Sequence, residues 1–151
     1  MYATRILLAT DGSEEPAPAV RTTVELANST GSELHVAHAI STAPQRPYPR
    51  HYERARSEDL LQRKRVAALI LLDEKVRQVE KMGGIVADSY YREGDPTEEV
   101  IRLVEELDVG LIITGGRRLA KLKLLWSSSY PMELFHHAKY PVLIVRGGKA
   151  E

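Results

Sequence analysis

A chain of 151 residues carrying 21 Lys+Arg against 21 Asp+Glu has zero formal net charge, which excludes the basic surplus of a general nucleic-acid or anionic-membrane binder. Its 43% apolar and 28% charged residues are ordinary globular composition, and the length suits a single domain, residues 1–151. Zero cysteines exclude disulfides, thiolate metal sites and cysteine nucleophiles. No run approaches the ~20 apolar residues of a membrane span, and an apolar strand begins too early to leave room for a signal peptide. The expectation is a soluble, cytoplasmic domain.

Arg5 to Thr10 (RILLAT) is a nearly continuous apolar run ended by Asp11-Gly12-Ser13, the pattern of a strand buried on both faces and closed by a turn. Residues 14–30 place Ala17, Val20, Val24 and Ala27 at helical spacing, with Pro16 acceptable in a first turn and Gly31 as the stop. Glu33 to Ile40 (ELHVAHAI) is the second strand, and residues 41–50, with three prolines, form a loop. Tyr52 to Met82 contains no Pro or Gly and ends at Gly83-Gly84, so it reads as a long helix with room for a break in its charged first half. Ile85 to Tyr91 is a third strand with partial alternation, followed by the punctuation Glu93 to Thr97 and a helix from Glu98 to Glu106. Val109 to Thr114 is a fourth buried strand, and Gly115-Gly116 is its turn. A helix at Met132 to Ala138 and a fifth strand at Val142 to Val145 complete the chain. Strict alternation of strands and helices without hairpin turns implies parallel strands joined by crossovers: an α/β, three-layer sandwich.

Ligands of open parallel sheets bind beyond the carboxyl ends of the strands, where the strand order reverses. If the order is 3-2-1-4-5, which the sequence alone does not give, the reversal falls between the first and fourth strands, and Asp11 and Gly115 face one crevice. The loop that follows is unusual: residues 111–132 hold Arg117, Arg118, Lys121 and Lys123 and no acidic residue. Ser127-Ser128-Ser129 then precedes the last helix, whose N-terminus favours anions. These features suit a phosphate site and equally a solvated basic turn. Leu119, Leu122, Leu124, Leu125 and Trp126 in the same stretch suit packing of the loop onto the domain, or else a lid or partner surface. Asp11 is either a turn or helix cap or an acceptor for a base, a ribose or a metal on phosphates.

The P-loop, the G-x-G-x-x-G turn, the G-x-S-x-G elbow and H-E-x-x-H are all absent from the sequence. His35 and His38 are three apart on one strand and point to opposite faces, and His136 and His137 diverge on a helix, so the histidines read as structural or solvated.

Five segments in order resemble the universal stress protein family over essentially the whole chain: Arg5 to Ser13 (RILLATDGS), Leu34 to Val36 (LHV), Glu93 to Pro96 (EGDP), Asp108 to Gly115 (DVGLIITG) and Ala138 to Arg146 (AKYPVLIVR). The resemblance implies a five-stranded parallel sheet of order 3-2-1-4-5 with the Rossmann-like, adenine-nucleotide alpha hydrolase-like fold. It also implies homodimers that pair through the last strand, Pro141 to Arg146, and in many members ATP bound by a loop written G-x-x-G-x9-G-[ST]. Here Gly115 and Ser129 match that loop, but Arg118 and Ser128 stand at its second and third glycines, and Pro131 lies just beyond. Arg118 removes the backbone freedom that lets N–H groups approach a phosphate, or else replaces them with a guanidinium clamp. The resemblance places Ala9, Thr10 and Asp11 at base and ribose and Val36 against adenine. Around the phosphates it places Thr114, Gly115, Arg117, Arg118, Ser128, Ser129 and Tyr130. The expected ligand is ATP, with Mg²⁺, or AMP. The expected role is a non-catalytic stress-response sensor or adaptor, with slow ATP hydrolysis not excluded. The alternative is a nucleotide-free module of the same fold that meets an unknown protein partner.

Overall fold

The computed structural model describes residues 4–10, 17–42, 53–115 and 139–145, with side chains in the long second helix described from residue 58 onward. Five strands, β1 (Arg5–Thr10), β2 (Glu33–Ile40), β3 (Val86–Glu93), β4 (Leu111–Gly115) and β5 (Val142–Val145), form one parallel sheet of order β3-β2-β1-β4-β5. The helices are α1 (Ala17–Thr30), α2 (Glu53–Lys81) and α3 (Pro96–Leu107). The expected helix at 132–138 lies outside the described residues.

Strand alternation sorts the core into two halves. Ile6, Leu8, Leu34, Val36 and Ile113 turn to one face, where α1 supplies Val20, Val24 and Ala27 and α2 supplies Leu72 and Val79. Leu7, Ala9, Ala37, Ala39 and Ile112 turn to the other, against Val100, Leu103 and Val104 of α3. This explains the strand order. The first two crossovers step the chain outward along one face, from β1 to β2 to β3. The third returns across the opposite face through α3 and sets β4 on the free side of β1.

Several boundaries differ from the sequence reading for local reasons. Helix α3 begins at Pro96 and not Glu98, because Asp95 is its N-cap, accepting from Glu98 N at 3.1 Å, and Pro96 is pre-set for the first helical position. Strand β3 runs on to Glu93 and carries a register shift opposite Leu34/His35, with Val86 paired to Leu34 and Asp88 to His35. The extra residue, Ala87, reverses the facing of everything after it, which is why the alternation reads as only partial. Strand β4 starts at Leu111. Just before it, a Cβ on Gly110 would lie 2.0 Å from Thr4 Oγ1, so only glycine lets the two segments meet there. Helix α2 is one 29-residue helix with no break. No helix among the described residues is long and apolar enough to cross a membrane.

Candidate functional site

Pairing of Leu8 with Ile113 carries the ends of β1 and β4 up side by side, so that Thr10 and Gly115 both reach the carboxyl edge of the sheet. This is the point where the order reverses, since β2 and β3 lie on one side of β1 and β4 and β5 on the other. In open parallel α/β sheets the carboxyl edge at such a reversal is where ligands bind.

Ala9, Thr10 and Thr114 are all fully buried at this edge. The end of β1 is tied to β2 by His38, whose buried Nδ1 lies 3.1 Å from the Thr10 carbonyl. A carbonyl only accepts, so His38 carries its proton on Nδ1. Thr114 differs: its Oγ1 is buried and makes no hydrogen bond. Buried hydroxyls are normally paired, so an orphan near the carboxyl end of β4 fits a site that takes a polar ligand atom.

Val36 does not reach this edge. It pairs with Leu8, two positions below the strand end, and is wholly enclosed among Ile6, Val20 and Val24. Thr10 pairs with His38, so Ala39, buried on the Ala9 face, is the next β2 residue beyond the level at which β1 ends. Val36 and Ala39 are three residues apart and on opposite faces of the sheet. Asp11, Arg117, Arg118, Ser128, Ser129 and Tyr130 lie outside the described residues.

The outer flank of the same edge holds a polar cluster that no sequence motif announces. Glu93, the last residue of β3, accepts from Arg65 Nη2 at 3.3 Å and from Tyr91 Oη at 2.8 Å, while Arg65 Nε also donates to it. Lys64 Nζ donates to the Ser41 carbonyl at 2.7 Å, so α2 is stitched to the ends of both β2 and β3. The Arg65 guanidinium, with help from the Tyr91 hydroxyl, holds the Glu93 carboxyl below the usual carboxylate range. Burial, and then the bond to Glu93, push the Tyr91 phenol up to about 12. The cluster is a fixed wall and not a proton donor near neutrality. At the opposite end of the sheet, His35 donates from Nε2 to Glu33 at 2.6 Å and stacks at a tilt on Tyr90, far from the crevice. Among the described residues no three His, Asp or Glu side chains are grouped to hold a metal ion.

The fold defines an open parallel α/β domain whose strand order reverses between β1 and β4. The model of the universal stress protein family matches residues 3–146. Universal stress protein YxiE of Bacillus subtilis (strain 168) is 30% identical over 151 residues, spanning 94% of this chain and 98% of its own. A universal stress protein solved in complex with cAMP superposes with a TM-score of 0.67 at 20% identity, covering 97% of this chain and 99% of that one. The universal stress protein from Archaeoglobus fulgidus in complex with dAMP superposes with a TM-score of 0.58 at 19% identity, covering 95% and 98%. At such identities the solved structures speak to the fold, and the family match does the rest. The chain belongs to the universal stress protein family.

Proposed function

We propose that this chain is a non-catalytic, dimeric stress-response sensor or adaptor that binds an adenine nucleotide where β1 and β4 part. The observation that carries the reading is the buried, unpaired hydroxyl of Thr114 beside the end of β1. Leaving such a group unmatched costs about 1–3 kcal/mol, which a ligand oxygen or nitrogen would offset. The related proteins solved with cAMP and dAMP support adenine as the base. In this arrangement the base rests near Ala9, Thr10 and Ala39, and Asp11 accepts from base or ribose. Gly115, Arg117, Arg118, Ser128, Ser129 and Tyr130 surround the phosphates. ATP would arrive with Mg²⁺ on its phosphates; AMP would not need it.

The dimer part of the reading rests on β5. Among the described residues it is an edge strand, hydrogen-bonded only to β4, and all four of its apolar residues are half-buried. An open apolar edge is a liability that pairing with a second copy through Pro141 to Arg146 would cover.

A second reading, a nucleotide-free interaction module, is favoured by one specific observation: Arg118 and Ser128 stand where the family's phosphate loop has glycine. One experiment separates the two. Small molecules are released from the purified protein and chromatographed, and thermal shifts are measured with ATP, AMP and cyclic AMP. A ligand that binds only the folded state adds ~2.7 kcal/mol at 100 times its Kd. Nucleotide binding predicts a co-purified adenine nucleotide or a shift with at least one of the three. Neither result with any of them would overturn it in favour of the interaction module.

A further inference from the structure

Helix α2 buries one side and leaves a patterned stripe on the other. Ala68, Leu72, Lys75 and Val79 turn inward and are buried. On the outer side Asp59, Arg63, Val66, Ile70, Asp73 and Arg77 follow one another at spacings of 4, 3, 4, 3 and 4, the a/d rhythm of a helix that packs lengthwise on another helix. All six are exposed: Val66 at 48%, Ile70 at 54%, and the four charged side chains at 61% to 76%. Leu69, 51% exposed, borders the stripe beside its apolar centre.

The stripe is symmetric about Ala68, with every charge mirrored by its opposite. Asp59 and Arg77 lie nine residues to either side, Arg63 and Asp73 five, and Val66 and Ile70 two. Within the helix the charges already pair, Arg63 with Asp59 at 3.2 Å and Arg77 with Asp73 at 3.0 Å. Those bridges alone would account for four charged residues on a solvated face. They do not account for an exposed apolar centre, nor for the mirrored order in which acids and bases surround it.

We infer that the outer face of α2 is a self-complementary docking surface for a second copy of this chain, laid antiparallel across a two-fold axis at Ala68. The occupant follows from charge complementarity. In the antiparallel arrangement each Arg63 meets Asp73 of the other copy and each Asp59 meets Arg77, while Val66 meets Ile70. A parallel arrangement would set acid on acid and base on base, and a foreign partner has no reason to match the mirror. Each end of the contact, ~27 Å long at 1.5 Å per residue, gathers two acids and two bases into one network. The surface is isologous, as a two-fold contact requires. It lies on a helix and not on the β5 edge, so copies paired through β5 still present it. With only three large apolar side chains at its centre, the association is reversible and concentration-dependent.

Sedimentation velocity on the full chain over a concentration series tests this with wild type, Arg63→Asp, Asp73→Arg and an equimolar mixture of the two variants. Arg63→Asp sets acid against acid at both ends of the contact, and Asp73→Arg sets base against base. Each variant alone is expected to suppress the rise in sedimentation coefficient with concentration. The mixture is expected to recover it, because every end then pairs an acid with a base. Pairing through β5 is untouched by either substitution and contributes equally to all samples. Ile70→Lys, which removes the apolar centre, is expected to suppress association whatever it is mixed with, and far-UV circular dichroism checks that each variant is folded. A mixture that sediments as the average of its two components would overturn the proposal. So would single variants that associate as wild type does, or a wild type whose sedimentation is independent of concentration.

Discussion

Tyr91 donates its phenolic hydrogen to Glu93, two residues further along β3, at 2.8 Å. The two side chains share a face of the strand, and the same carboxylate takes Arg65 from α2. This bond ties the protonation of a tyrosine to that of an acid, and the two ends act in opposite pH windows. Glu93, held low by Arg65 first and Tyr91 second, contributes stability that is present above the unfolded carboxylate pKa and is lost as pH falls through its lower folded value. Tyr91, raised to about 12 by burial and by Glu93, contributes stability that is present below the unfolded value near 10 and is lost as pH climbs toward about 12.

The prediction is that Tyr91→Phe costs about 1 kcal/mol near neutrality, below the usual range for bonds to charged groups because the cluster is partly exposed. It should also flatten the alkaline loss of stability between pH 10 and about 12. Urea unfolding at several pH values, with tyrosinate absorbance followed in parallel, measures both. An unchanged alkaline slope in Tyr91→Phe would assign the loss to other groups.

Gly94 closes β3 with φ +141, and its N–H donates to the Ile40 carbonyl at 3.0 Å. A Cβ there would lie 3.1 Å from Glu99 Oε1 and 3.2 Å from its Cγ. Gly94→Ala therefore meets both an unfavourable φ and a neighbour that must give way, and should cost about 1–3 kcal/mol. Gly31→Ala is the comparison: φ is +65 and nothing lies within 4 Å, so the expected cost is that of the left-handed backbone alone, roughly 1 kcal/mol. Chemical denaturation of both variants checks the order.

The pattern of what could be read from residues has physical causes. β1, β2 and β4 are buried on both faces, so their apolar runs identify them directly, whereas Ala87 reverses the facing in β3 and blurs its signal. The strand order is a pairing between distant segments, and periodicity does not carry it; it came through the family resemblance. Depth along a strand is equally invisible. Only the pairing of Leu8 with Val36 and of Thr10 with His38 shows that Val36 lies two positions below the end of β1. Arg65 and Glu93 are 28 residues apart, on elements whose contact only the fold creates. The mirrored face of α2 was in the sequence throughout, but without the buried side to orient it, its apolar centre reads as core.

In the proposed nucleotide site Arg118 stands at a glycine position of the family's phosphate loop, and its replacement gives its role a sign. If the side chain occupies the space that glycine leaves open in the family's loop, Arg118→Gly should raise affinity for ATP relative to AMP. If its guanidinium clamps a phosphate, the same change should lower affinity for both, with a loss of about 1.5–3 kcal/mol for a charge-assisted bond. Isothermal titration with ATP and AMP distinguishes the outcomes. Equal binding before and after the change would place Arg118 outside the site.

Thr114→Val tests the hydroxyl on which the nucleotide reading rests. Valine keeps the shape and the β-branching that a strand favours while deleting the one polar atom that, among the described residues, is buried at this edge without a partner. In the ligand-free protein the substitution should be stabilising, by about 1 kcal/mol, since it removes an unmatched desolvated group. With a saturating adenine nucleotide the sign should reverse, because the variant cannot make the bond that the ligand supplies. Thermal unfolding of wild type and variant, each with and without AMP, reads both effects in one experiment. Stabilisation of the free variant with an undiminished AMP shift would leave the hydroxyl an uncompensated core defect and remove it from the binding site.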